Sequence, residues 1–200
     1  MTALVLVELD GASPADASLR ALTLARSLGD VNAVVFADAA PQDTLASYGV
    51  SDVYLVEPGS VEGYAPQAWA RTLAGLATET GATAVLAAGT DRGNEVLAHL
   101  GAITGLPMAA NCTLVTPDGG NTHRLVRHRW AGLLLEDAVI QAPVALFTVA
   151  TDSVQTSPQK RRRRFSFTST SPSWLKLTWW YGRPSRRPGP AARRWPPRGW

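Results

Sequence analysis

Cysteine, lysine and long hydrophobic runs are scarce in this chain. Of 200 residues only one is a cysteine, Cys112. That excludes an internal disulfide framework and any metal cage built wholly from cysteines. Residues 1–156 contain no lysine. Apolar runs stop at five residues, as in Ala84 to Ala88, against the ~20 that a membrane helix needs. A transmembrane helix is therefore excluded. A basic leader is also missing, since Met1 runs almost directly into Ala3-Leu4-Val5-Leu6-Val7. The expectation is a cytoplasmic, soluble protein without a secretory signal. What is present is 46% hydrophobic and 18% charged, enough for one domain or at most two.

Negative charge is absent from the last part of the chain. Residues 157–200 hold no Asp, Glu, Val or Ile, but 12 of the 19 basic residues, five of the seven Trp and seven of the 14 Pro. Residues 1–156 hold all 16 acidic residues against seven arginines. The two parts thus carry net charges of −9 and +12. A whole-chain pI near 9.4 would point to nucleic acid. The division weakens that argument, because the part able to bury a core is acidic.

Residues 1–150 alternate short apolar runs with helical patterns. Strands are expected at 3–7, 32–36, 52–56 and 83–88, where near-continuous apolar runs suit burial on both faces. A helix is expected after Ser13 as N-cap, with Pro14 at the first helical position and Asp16 near the positive end. Leu19, Leu22, Ala25 and Leu28 form its stripe and Gly29 its stop. A second helix is expected over about 65–80, with Ala65, Trp69, Leu73, Leu76 and Ala77 on one face. A third covers about 94–104, with Val96, Leu100 and Ile103 together. Such repetition means parallel strands joined by crossovers. Beyond Pro107 strands follow at 112–115, 124–130 and 144–149. Pro117-Asp118-Gly119-Gly120-Asn121 turns the first two into an antiparallel hairpin. The expected fold is an α/β, doubly wound, mostly parallel sheet with an antiparallel edge and a disordered basic tail.

Open sheets of this kind bind ligands at the carboxyl ends of their strands. Two loops qualify. In Glu8-Leu9-Asp10-Gly11-Ala12-Ser13 the carboxylates would repel a phosphate, and a plain turn into a helix is the simpler reading. In Gly89-Thr90-Asp91-Arg92-Gly93-Asn94-Glu95, backbone N–H groups at a helix start suit an anion. Gly89 and Gly93 would permit close approach, and Arg92 would add charge. Gly89, Thr90, Arg92, Gly93 and Asn94 are accordingly the cofactor-binding candidates, against an ordinary strand-to-helix turn. The segment is neither a P-loop nor a GxGxxG fingerprint.

No catalytic set and no metal site is expected. His99 lies within a helical pattern. His123 and His128 have no nearby Cys or carboxylate in sequence, and Cys112 reads as a buried structural thiol. Arg127 and Arg129 share a strand face. Together with Arg124 they mark either an exposed edge strand or a docking surface for an acidic partner or a flavin pyrophosphate, which makes Arg129 a further candidate.

Several segments, taken together, resemble the α subunit of electron transfer flavoprotein. They are Leu4-Val5-Leu6-Val7-Glu8 with the helix after it, Thr83-Ala84-Val85-Leu86-Ala87-Ala88-Gly89-Thr90 leading into Gly93-Asn94-Glu95-Val96-Leu97-Ala98, and Arg129-Trp130-Ala131-Gly132 followed by Ala142-Pro143-Val144-Ala145-Leu146-Phe147-Thr148-Val149. The resemblance covers about residues 1–155, with an adenine-nucleotide-hydrolase-like fold. His99 stands where the family often has arginine, which removes a charge there. The resemblance implies an electron carrier, not an enzyme. It would be a heterodimer with a β subunit whose FAD relays electrons from dehydrogenases to a quinone reductase in the respiratory chain. It also implies that the flavin is held largely by a second, C-terminal domain whose glycine-rich loops do not occur in residues 157–200. No flavin contact carries over, and this chain alone is expected to hold no FAD.

The tail, placed at 156–200, has three readings. Arg161 to Arg164 with Trp174, Trp179, Trp180 and Tyr181 could bind nucleic acid or an acidic membrane surface. The segment could be disordered without a partner. The favoured reading is an out-of-frame translation that truncates the protein. A gene of G- and C-rich codons read one base out yields Arg, Pro, Gly, Ala and Trp while losing Asp, Glu, Val and Ile. The alternatives to electron transfer are a stand-alone adenine-nucleotide-binding module and nucleic-acid binding through the tail.

Overall fold

A computed structural model describes residues 1–56, 63–159 and 166–170. The first strand, β1 (Thr2–Val7), is followed by a two-residue hairpin, β2 (Leu9–Asp10) and β3 (Ser13–Pro14), turning at Gly11 with φ +59°. Then come α1 (Asp16–Ala25), a short 3-10 turn (Arg26–Leu28), β4 (Asp30–Phe36), α2 (Gln42–Ser47), β5 (Val50–Val56), α3 (Pro66–Thr80), β6 (Ala84–Ala88) and α4 (Asp91–Thr104). The remaining elements are all strands: β7 (Met108–Pro117), β8 (Thr122–Arg129), β9 (Leu134–Gln141), β10 (Ala145–Val149) and β11 (Ser166–Thr170).

The large sheet has the order β11-β5-β4-β1-β6-β10-β7-β8-β9. Pairing is parallel from β11 through β7 and antiparallel between β7, β8 and β9. This is the expected mixed sheet. The two-residue alternation of a strand explains its layers. Ala3, Val5 and Val7 of β1 face one core with Leu22, Ala25 and Leu28. Leu4 and Leu6 face a second core with Leu73, Leu76, Val96, Leu97 and Leu100. Helices therefore cover both faces, and the apolar runs are buried on both sides.

Several expectations are corrected. Ser13 does not cap α1: it pairs with Asp10 in the small hairpin, and Ala15 occupies the cap position without a side-chain bond. Ser18 instead accepts from the Glu8 N–H at 2.9 Å. Ile103 leaves the α4 stripe and stands exposed, because the buried face runs through Val96, Leu97 and Leu100. Helix α2 has six residues with only Leu45 buried, too little to give a pattern. Strand β9 is a further departure from the sequence reading, and it makes β8 an interior strand, not an edge.

The C-terminal segment is partly regular. After β10, Val154 packs on the first core and its carbonyl accepts from Arg20 at 2.7 Å. The Ser157 carbonyl accepts from Arg26 at 2.6 Å, and the Gln159 N–H donates to the Ser47 carbonyl at 2.6 Å. Residues 156–159 thus follow the domain surface. Ser166–Thr170 then adds in parallel to β5, with Ser166 opposite Asp52 and Thr170 opposite Val56. Main-chain pairing explains this departure from a wholly unstructured tail, since it needs no aliphatic side chains. The Arg161–Arg164 run and the Trp-rich clusters lie outside the described residues.

His123 sits on β8 with 1% exposure, edge-on to Phe147, and neither ring nitrogen finds a partner among the described residues. Burial lowers its pKa below the ordinary 6.5. Below that pH the unfolded chain takes a proton that the folded chain refuses, so this residue makes stability fall on acidification. Its share of the slope is at most about 1.4 kcal/mol per pH unit. His123→Leu should therefore lose less stability than the wild type between pH 7.5 and 5 in urea unfolding. Equal losses would show that His123 does not drive the acid slope.

Candidate functional site

The sheet changes direction between β1 and β6: the chain leaves β1 toward β4 and leaves β6 toward β10 and β7. The loops after β1 and β6 consequently meet at the carboxyl edge, where ligands of such sheets lie. Thr90 is the N-cap of α4. Its hydroxyl donates to Glu8 Oε1 at 2.5 Å and accepts from the Gly93 N–H at 3.0 Å. Glu8 from the first loop is thereby tied to the second.

The other candidates surround this link. The Gly89 N–H donates to the Val149 carbonyl at 2.7 Å. A Cβ on Gly89 would lie 2.8 Å from both Asn111 Oδ1 and the Val149 carbonyl oxygen. A Cβ on Gly93 would lie 2.0 Å from the Ala88 carbonyl oxygen. Both glycines are thus demanded by the chain's own close approach. Asn94 Oδ1 accepts from the Thr148 hydroxyl at 2.8 Å, and that hydroxyl accepts from the Asn111 N–H at 2.9 Å. The start of α4 is in this way bound to the end of β10 and, through Asn111, to β7.

Arg92 lies over the Tyr64 ring at 5.1 Å. Tyr64 donates to Glu95 Oε2 at 2.7 Å, and burial followed by this bond raises its pKa. Tyr64 also meets Trp69 edge-on at 5.3 Å, and Trp69 stacks on Phe36 at 4.3 Å. Neither Tyr64 nor Asn111 is among the residues the sequence points to. Both come from elements distant in sequence, and no spacing signals them.

The electrostatics do not favour a pyrophosphate. Asp91 lies in the first turn of α4, Glu8 binds the cap and Glu95 follows one turn on. Three carboxylates compete with any anion for the positive helix end, and the Gly93 N–H is already taken by Thr90.

Arg129, the remaining candidate, lies apart on β8. Arg127 and Arg129 share the Glu136 carboxylate at 2.5 and 3.7 Å. The hydrogen bond from Arg127 is the main cause holding Glu136 below the usual carboxylate range. Beyond them Trp130 and Ala131 turn the chain with φ +51° and +52°. With Asn111 at φ +57° they are the non-glycine residues in the left-handed region among those described. All three line one open cavity of about 380 Å³, with His128 and Arg129. Such outliers gather where function holds strain.

The outward face of this antiparallel extension mixes exposed apolar side chains with charged ones, Asp137 standing beside Val126. Leu114 lies beside Val126, Arg124 beside Val139 and His128 beside Leu135. Trp130 is 76% exposed, Leu135 69% and Val139 59%. A groove of about 450 Å³ is lined by Leu114, Val126 and Val139 together with Thr116, Arg124 and Asp137. Cys112, on the opposite face, is fully buried, and burial pushes its thiol up to about 12. Among the described residues, no group of three His, Cys, Asp or Glu could hold a metal ion, and no helix is long and apolar enough to cross a membrane.

Residues 3–168 match the electron transfer flavoprotein domain family. The chain belongs to this family. Electron transfer flavoproteins are carriers of electrons rather than enzymes, are associated with flavin, and generally form heterodimers. No curated protein matches the sequence. The match to the family runs from Ala3 in β1 to Thr168 in β11 and passes the point at which the chain's charge changes sign.

The Gly93 contact predicts a graded response. Gly93→Ala should destabilise the protein by about 3 kcal/mol, because backbone must move to relieve the overlap. Gly11→Ala meets no atom within 4 Å and should cost only about 1 kcal/mol, the strain of a left-handed alanine. Chemical denaturation of both variants checks this ordering.

Proposed function

We propose that this chain is the N-terminal domain of an electron transfer flavoprotein α subunit, followed by an out-of-frame tail. The observation that carries the family part of this reading is the match over residues 3–168. The Arg129-Trp130-Ala131-Gly132 segment supports the α assignment by its resemblance to that subunit. The intact protein is a cytoplasmic electron carrier in which FAD, shared with a β subunit, passes electrons from dehydrogenases to a quinone reductase.

This chain supplies scaffold and partner surface, not the flavin site. The carboxylates around α4 support that division, because they oppose a pyrophosphate at the helix start beside the change of sheet direction. The face that exposes Leu114, Leu135 and Val139 among Arg124, His128 and Asp137 is where the β subunit docks, since its apolar side chains otherwise stand in water. The tail replaces the flavin domain. Resequencing the gene across the codons for Thr151 to Arg164 and past the stop tests this. One inserted or deleted base should restore a Val-rich, acidic frame with glycine-rich loops.

Two measurements test the functional reading. The full-length chain, purified alone, should show no flavin absorbance, and stoichiometric yellow colour would sink the proposal. Coexpressed with a β subunit, it should co-purify as a complex, whereas Leu135→Asp with Val139→Asp should reduce recovery at least tenfold while far-UV circular dichroism stays unchanged. Recovery equal to that of the wild type would remove this face from the interface.

A further inference from the structure

The end of the β8–β9 hairpin holds a large side chain in a backbone conformation that suits small ones. Arg129-Trp130-Ala131-Gly132 closes a tight turn, with the Gly132 N–H donating to the Arg129 carbonyl at 3.2 Å. Its two central residues, Trp130 and Ala131, lie at φ +51° and +52°. Turns with two such residues normally place Asn, Asp or Gly there, because a Cβ in the left-handed region crowds the following carbonyl. Packing within the chain does not offset this strain. Trp130 is 76% exposed, and Leu133 at the end of the turn is 83% exposed. A tryptophan that is both strained and bare points to a cover from outside the chain.

The polar side chains beside it have unused donors. Arg129 Nε lies 3.7 Å from Glu136 Oε2, too far for a hydrogen bond. That oxygen already accepts from Arg127 Nε at 2.5 Å. Two guanidinium groups thus share one carboxylate, which leaves a positive charge over. The surplus stands out within residues 1–156, whose net charge is −9. The side chains of His128 and Asn111 make no hydrogen bond with a described residue. Both line the open cavity of about 380 Å³ together with Arg129, Trp130, Ala131 and Gly132. Unpaired donors, a positive charge and an exposed tryptophan therefore meet in one place.

We propose that this cavity receives an Asp or Glu side chain of the β subunit, bound by Arg129, while Trp130 and Leu133 are covered by the apolar surface around that side chain. The inference rests on the reading that the β subunit docks on the β7–β9 extension, and it names the anchor of that contact. A carboxylate suits Arg129 because a planar guanidinium can offer it two parallel N–H donors. A protein partner suits the site better than a free anion, which would leave Trp130 and Leu133 in water. Trp and Arg are also the side chains on which protein interfaces concentrate their binding energy.

Surface plasmon resonance of the full-length chain against the β subunit tests this. Arg129→Gln should raise the dissociation constant at least tenfold, because the partner's carboxylate is then buried without its charge. Arg129→Lys keeps the charge but not the planar pair of donors, and should fall between the two. Trp130→Asn places at the turn a residue that tolerates the left-handed region. It should raise the dissociation constant at least tenfold while its urea midpoint stays at or above that of the wild type. Replacing each Asp and Glu of the β subunit by its amide should reveal one position whose loss adds nothing in the Arg129→Gln background.

Wild-type affinity in Arg129→Gln or in Trp130→Asn overturns the proposal, as does a scan without a coupled carboxylate. A lower urea midpoint for Trp130→Asn would show that this side chain serves the fold, with the same consequence. If both variants keep wild-type affinity while inorganic phosphate at millimolar concentration moves the Trp130 indole resonance, the cavity is a free-anion site instead. Leu135→Asp with Val139→Asp separates the anchor from the wider docking face. Loss of the β subunit in that pair alone keeps the face and removes the anchor. A wild-type chain that binds no β subunit overturns the docking reading, and the anchor falls with it.

Discussion

Burial of β1 on both faces is the constraint from which the rest of the domain follows. Residues 3 to 7 of this strand are all buried, alternately against α1 and against α3 and α4. A strand that hides both faces needs a helical layer on each side, and each return to the sheet must cross over one of them. The change of direction next to β1 places helices on both sides, and it brings the loops after β1 and β6 together. The bond from Thr90 to Glu8 is a result of that geometry, as is the contact of Gly93 with Ala88.

The sequence is most legible where a long apolar period has one interpretation. The expected strands of the parallel core and the three long helices are found within a few residues of their limits. It is least legible where structure is specified by distant partners. Ser13 has the chemistry of a cap, yet the hairpin around Gly11 claims it and leaves Ala15 at the helix start. β9 has no alternation of the usual kind because Leu134, Leu135 and Val139 are all exposed. The Arg127, Arg129 and Glu136 cluster depends on that unseen strand.

At the candidate site the legible part is the loop, and the missing part is what fills it. Gly89 and Gly93 advertise room for a ligand in sequence. In space, Asn111, Val149 and Ala88 stand where a Cβ would go. Glycines at a strand-to-helix junction record close approach without saying to what. The carboxylates of Glu8, Asp91 and Glu95 are visible in the sequence, but their convergence on one helix end is not.

The burial of Cys112 has a chemical meaning for a protein of a redox family. Its thiol donates weakly to the Ala109 carbonyl at 3.5 Å, and its surroundings oppose the thiolate. The thiolate is the form that oxidants attack. The lone sulfhydryl of this domain is accordingly slow to become sulfenic acid or a mixed disulfide, and the core around Phe147 and Val149 keeps its packing when the surroundings turn oxidising. Packing thus keeps the chain's one thiol out of redox chemistry.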